Sequence, residues 1–226
     1  MLLEKYWKIW LVVFCTAFNS AAHAAPNEAA QLLEAAAQGD AQTVVKLLAL
    51  GVAVDVRDEL GNTPLLLATD RDHVDVARAL INAGADVNAQ NRIHDSAYLL
   101  AGAQGRLAIL TLTLSHGADL KSTNRYGGTA LIPACERGHI EVVKVLLQAG
   151  VDPNHVNKLG WTCLLEAILL SNGGPAHQEI VALVIAGGAD VNLTDGNGVS
   201  PLQHARQRGQ TVIADMLVAA NAVDGK

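Results

Sequence analysis

The stretch from Asn124 to Asn157 constrains the fold of this chain more than any other. Glycine falls at Gly127, Gly138 and Gly150, each at a turn. Thr129 stands where a hydroxyl can accept from an orphan amide of a helix's first turn. The short helix it is expected to cap runs to about Glu136 and stops at Gly138, where a left-handed residue costs little. Val142, Val143, Val145, Leu146 and Leu147 then give a second helix a broad apolar face. Gly150 ends that helix, and a short extended segment rich in Asn and Asp follows. The unit is turn, helix, turn, helix. It cannot bury its apolar face alone, so it needs neighbours.

The chain supplies them at a period of about 33 residues. One period earlier, Leu60-Gly61-Asn62-Thr63-Pro64-Leu65 opens a unit and Gly84-Ala85-Asp86-Val87-Asn88 closes it. One period later, Leu159-Gly160-Trp161-Thr162-Cys163-Leu164 opens another. Thr63-Pro64-Leu65-Leu66-Leu67-Ala68 and Ser200-Pro201-Leu202-Gln203-His204-Ala205 place Pro at the first helical position, where its missing amide is tolerated. These openings, with the Gly-Ala-Asp close, resemble the ankyrin-repeat family over essentially the whole chain after its N-terminal segment. Helical repeats of the tetratricopeptide type lack the pair of phased glycines and this closing turn. The resemblance implies an all-α solenoid of about six helix-turn-helix repeats with short β-hairpin-like connections. It also implies protein partners, bound by the hairpin tips and by the first helices that line a concave side. Residues 124–147 and 154–161 are similar to strings in a subset of bacterial ankyrin proteins, often with export signals.

The expected repeats are about 27–58, 59–91, 92–124, 125–157, 158–195 and 196–222, within an ankyrin domain over 25–222. The first lacks the Thr-Pro-Leu opening, and Gln31, Glu34 and Gln38 give it a wet side, as a terminal repeat needs. Asp72 takes the place of the inter-helix glycine in the second repeat, and His94 that of the tip glycine in the third. The fifth is longer than the period, and its excess is assigned to Ser171–Gln178, a loop between its helices. That loop is either a neutral insertion or a binding loop, since insertions in solenoids collect on one face. Arg206, Gln207, Arg208 and Gln210 make the last repeat a polar cap. The tail, 223–226, is expected to be loose.

Residues 1–24 stand apart. Lys5 and Lys8 precede an apolar run from Ile9 to Phe18, followed by Ala22-His23-Ala24. Charge, length and small-residue ending fit a secretory signal peptide cleaved before Ala25. The run is well short of the ~20 residues a span needs, so no membrane insertion is expected after cleavage. The mature protein is then periplasmic or secreted. A formal net charge of −6 argues against general nucleic-acid binding. Cleavage leaves Cys135 and Cys163, late in one first helix and early in the next. Helices 8–10 Å apart, with about 7 Å of axial offset, put a disulfide out of reach. Both are expected as separate buried thiols.

Two rows recur once per repeat at the hairpin tips: Leu60, Ile93, Tyr126 and Leu159, and just before them Glu59, Arg92, Arg125 and Lys158. An apolar row beside a basic one suits a protein partner with an anionic patch. The bland alternative packs the aliphatics on neighbouring hairpins and leaves the charges solvated. On the inner helices the exposed positions are expected to include Asn62, Asp95 and Trp161, then Asp70, Arg71, Gln104, Glu136, Arg137 and Leu170. Trp161 is either a binding anchor or a groove filler against the insertion. An enzyme would use Glu136 and Glu166 as acid and base, with His155 near and Arg137 for an anion. That needs environments that push the two carboxyls apart, of which the sequence gives no sign. No cofactor string, metal spacing or nucleophile–base arrangement is legible. His139 is assigned to local hydrogen bonding. The expectation is an exported monomeric scaffold without catalytic activity, either an inhibitory or immunity-type binder of a secreted toxin or hydrolase, or an accessory factor for a periplasmic enzyme in envelope or oxidative stress defence.

Overall fold

The computed structural model describes residues 26–224. The expected signal peptide, its cleavage point before Ala25 and the last two residues lie outside them. Within the described residues twelve helices follow in order: α1 (Pro26–Gln38), α2 (Ala41–Ala49), α3 (Pro64–Asp70), α4 (Val74–Asn82), α5 (Ala97–Gln104), α6 (Leu107–Ser115), α7 (Leu131–Glu136), α8 (Ile140–Gln148), α9 (Cys163–Leu169), α10 (Pro175–Ala186), α11 (Pro201–Gln207) and α12 (Thr211–Ala219). Odd-numbered helices stack in one layer and even-numbered helices in a second, each odd helix packing on the even one after it. The core runs continuously between the layers, with Leu32, Leu65, Leu80, Leu131, Leu146 and Ile168 fully buried. Each such side chain contributes about 1.5–3 kcal/mol.

The connections on one side are hairpins, pinned by a single side chain apiece. Asp58 Oδ1 accepts from the amides of Leu60 and Asn62, both at 2.8 Å. Asn91, Asn124, Asn157 and Asp195 repeat the same pair of bonds in the later hairpins. Successive hairpins also join, Arg92 N–H to the Leu60 carbonyl at 3.0 Å and Lys158 N–H to that of Tyr126 at 2.9 Å. The residue that carries the first pinned amide, Leu60, Ile93, Tyr126 or Leu159, stands exposed at its tip. At the tip that carries His94 instead of glycine, φ is +62°, and Asp72 at its inter-helix turn has φ +60°.

Four first helices open on a hydroxyl cap, Thr63, Ser96, Thr162 and Ser200 each accepting from the amide three residues on. Thr129 does not. Its hydroxyl is buried with no hydrogen bond among the described residues, correcting the expected cap. The cause is Pro133, four residues on, which has no amide to donate to the Thr129 carbonyl.

The cysteines also correct the sequence reading: Cys135 and Cys163 form a disulfide, with Cα atoms 5.6 Å apart. The odd helices are staggered, so the last turn of one meets the first turn of the next. One repeat earlier the same positions hold Gly102 and Ala130, and a Cβ on Gly102 would sit 2.7 Å from that of Ala130. The axial offset counted as extra separation is cancelled by the stagger.

Three smaller differences follow from the same packing. Pro175–Gln178 is not loop but the first turn of α10, which leaves 170–174 as the connection. His177 there bonds the Glu136 carbonyl through Nε2 at 2.9 Å. His73 bonds Ala37 in the same way at 3.1 Å, and His139 bonds the Ala103 backbone, so His139 ties repeats together rather than serving its own turn. The described tail is held too: Val223 N–H donates to Asn192 Oδ1 at 2.9 Å and Asp224 pairs with Arg206.

Candidate functional site

The hairpin pins place Leu60, Ile93, Tyr126 and Leu159 on one line, and all four are exposed, at 64, 49, 55 and 56%. They do not pack away against neighbouring tips. The basic row beside them is less free than its composition suggests. The Arg125 guanidinium lies 4.8 Å over the Tyr126 ring and 3.4 Å from an Asp95 carboxylate oxygen. Lys158 Nζ donates to the Arg125 carbonyl at 3.0 Å. The Arg92 guanidinium has neither ion pair nor hydrogen bond among the described residues.

Between tips and inner helices the concave side holds two clefts, of about 270 and 310 Å³. The first is walled by Leu60, Ile93, Leu66, Leu67 and Leu100, with Asp70 and Asp95 at its edge. The second is walled by Tyr126, Leu159, Ile132, Pro133 and Leu170, with Glu136, Arg137 and Glu166 inside it. Trp161, half-buried, stands just before the Thr162 cap of α9, the helix that brings Glu166 to this second cleft.

Glu166 is 6% exposed, and one of its oxygens accepts from Asn157 Nδ2 at 2.8 Å. Burial, reinforced by the Glu136 charge, raises its carboxyl to about 7, against the opposing pull of Asn157 and Arg137. Burial also raises Asp95, opposed first by Arg125. Burial thus sets the Glu166 carboxyl apart from an ordinary one. His155 does not join Glu136 and Glu166: its Nε2 is held 2.7 Å from the Gly127 carbonyl. Arg137, the anion-binding candidate, donates to the Ala103 carbonyl at 2.9 Å. Among the described residues, no group of three or more His, Cys, Asp or Glu is placed to hold a metal. No helix there is long and apolar enough to cross a membrane.

Sequence periodicity reached the tips but missed the groove walls Leu66 and Leu100, which read as ordinary helix residues. Their signal is position: each recurs one or two periods from a residue on the same wall.

A family model of ankyrin repeats matches residues 14–91, 32–122 and 94–195, and the chain belongs to the ankyrin-repeat family. It is 56% identical to an ankyrin repeat domain from Acinetobacter baumannii AYE, with a TM-score of 0.84 over 85% of this chain and 98% of that one. The ankyrin repeat domain of Bcl-3, a member of the IκB family, is 32% identical at a TM-score of 0.77, over 85% of this chain and 86% of that one. The ankyrin repeat protein YahD of Escherichia coli K12 is 50% identical over 58 residues, which span 26% of this chain and 29% of YahD. Ankyrin repeats are generally non-catalytic scaffolds that bind proteins.

Proposed function

We propose that this chain is an exported scaffold whose hairpin tips and concave clefts dock a protein partner. The observation that carries the reading is the row Leu60, Ile93, Tyr126 and Leu159, exposed and in line along one edge of the clefts. Apolar anchors of this kind beside satisfied polar groups are what a protein interface is built from. Arg92 and Lys158 on the rim favour an acidic patch on the partner, acting chiefly on encounter rate. The Cys135–Cys163 bond suits an oxidising compartment and so supports export. The role is that of a capping inhibitor of a secreted toxin or hydrolase, with an accessory factor for a periplasmic enzyme as the alternative.

The test captures partners from periplasmic extract on the mature chain and on a folded variant carrying Leu60→Ser, Ile93→Ser, Tyr126→Ala and Leu159→Ser. A partner lost from the variant, with unchanged circular dichroism, supports the reading. Its activity with and without the scaffold separates inhibition from support. Capture that ignores the four substitutions overturns docking at the tips. Exported protein that retains Met1 in the membrane fraction overturns export by a cleaved signal.

A further inference from the structure

The two concave clefts are the same place in the solenoid, two repeats apart. Leu60 and Ile93 of the first become Tyr126 and Leu159 in the second, Leu66 becomes Ile132, and Asp70 becomes Glu136. The consequential change is in the inner wall, where Leu100 of the first cleft becomes Glu166. An apolar pocket has been copied with a carboxyl set into it.

That carboxyl is not consumed by the fold. Neither Glu136 nor Glu166 has an ion pair among the described residues. The two cations at the cleft are already engaged, Arg125 by Asp95 and the Tyr126 ring, and Arg137 by the Ala103 carbonyl. Glu166 is more than nine-tenths buried, and its carboxyl has one hydrogen bond among the described residues, from Asn157. A carboxylate in an apolar wall, short of partners, is complementary to a cation that brings its own aliphatic stem. Lysine and arginine side chains have that form.

We infer that the concave face reads one segment of a protein partner at two points, an aliphatic side chain in the Leu100 cleft and a lysine or arginine in the Glu166 cleft. This rests on the scaffold reading above. Two repeats of stacked helices separate the clefts by roughly 16–20 Å. An extended segment covers that span in about five or six residues. The disulfide joins α7 to α9, the two helices that wall the second cleft, and so holds it in shape before the partner arrives.

A cation needs Glu166 ionised, so binding strengthens as pH rises through about 7. The groups facing it are Glu136 and Arg137 from α7. From α10, His177 is bonded to the Glu136 carbonyl, and from α11, His204 is bonded to Asp195.

The test pans a displayed library of 12-residue peptides on the disulfide-intact chain at pH 8. Recovered peptides are expected to share an aliphatic residue and a Lys or Arg five or six positions away. A histidine-free member of that set, made synthetically, should bind about tenfold more weakly at pH 6 than at pH 8, following the ionised fraction of a group that titrates near 7. Glu166→Gln should weaken binding at pH 8 and remove the pH dependence, while Leu100→Ala should weaken binding at both pH values alike. Panning on Glu166→Leu should replace the basic residue by a second aliphatic one. Peptides that need Leu60 and Tyr126 but carry no such basic residue would overturn the two-point inference and leave the scaffold reading standing. So would a pH dependence that survives Glu166→Gln. Recovery of no peptide sensitive to Leu60→Ser or Tyr126→Ala would overturn both.

Discussion

Pro133 takes from Thr129 the hydrogen bond that four other repeats give its counterparts. In the second repeat the Thr63 carbonyl accepts from Leu67 N–H at 3.0 Å, which leaves Leu66 N–H for the Thr63 hydroxyl at 3.2 Å. Pro133 stands four residues after Thr129 and has no amide to give. The Thr129 carbonyl accepts instead from Ile132 N–H at 3.3 Å, and the hydroxyl is left without a partner among the described residues.

The two threonines should therefore respond oppositely to the same change. Thr63→Val removes a working cap and should cost about 1 kcal/mol. Thr129→Val replaces an unbonded buried hydroxyl by a methyl and should be neutral or slightly stabilising. In a Pro133→Ala background the amide returns, and Thr129→Val should then cost about 1 kcal/mol as well. Urea melts of the four variants close the cycle. Equal costs at both positions in the native background would remove proline as the cause.

What was legible in the sequence was whatever repeats locally. A residue and its equivalent 33 positions on meet the same surroundings, so the tip row from Leu60 to Leu159 is legible from the period alone. The relations between repeats were harder. Cys135 and Cys163 are brought together by the stagger of α7 against α9, which no spacing within one repeat encodes. The small pair Gly102 and Ala130 at the equivalent contact was the available signal, because only a close approach needs a residue without a side chain there. Pro133 was visible as a missing donor, yet its effect on Thr129 passes through the bond that Ile132 makes. Glu166 was visible as a carboxyl, but its row reads Leu100, Pro133, Glu166, His204. That mixture says nothing of burial, and only the cleft does.

Reduction of the Cys135–Cys163 bond should lower stability by about 2–4 kcal/mol, because the bond closes a loop across a sequence separation of 28. Chemical melts of the oxidised chain against Cys135→Ser/Cys163→Ser measure it, and non-reducing peptide mapping checks the pairing. Two free thiols in exported, folded protein would contradict the structure at this point.

His94 holds φ +62° at an exposed hairpin tip, a conformation that suits glycine. His94→Gly should stabilise the chain by roughly 1 kcal/mol. Asp72→Gly, at φ +60°, should gain less, because Asp72 also faces Arg106 at 3.4 Å and that contact would be lost. A lower melting temperature for His94→Gly would show that the imidazole makes a stabilising contact of its own.

Glu166 should make the chain less stable as pH rises, the reverse of an ordinary paired carboxylate. Its folded-state pKa of about 7 lies above the value near 4.5 that an unfolded chain gives it. Between those values the folded chain keeps a proton that the unfolded chain has released, so folding weakens with every step up in pH. The contribution is fully present below about pH 4 and lost above about pH 7, an effect of up to about 3 kcal/mol. Glu166→Gln keeps an oxygen for Asn157 Nδ2 and never ionises. It should match wild type near pH 4.5 and exceed it by roughly 3 kcal/mol at pH 8, read as the difference between paired urea melts so that other titrating groups cancel. Parallel stability profiles for the two proteins from pH 4.5 to 8 would mean that Glu166 titrates as an ordinary surface carboxyl, and that its place in the cleft costs the fold nothing.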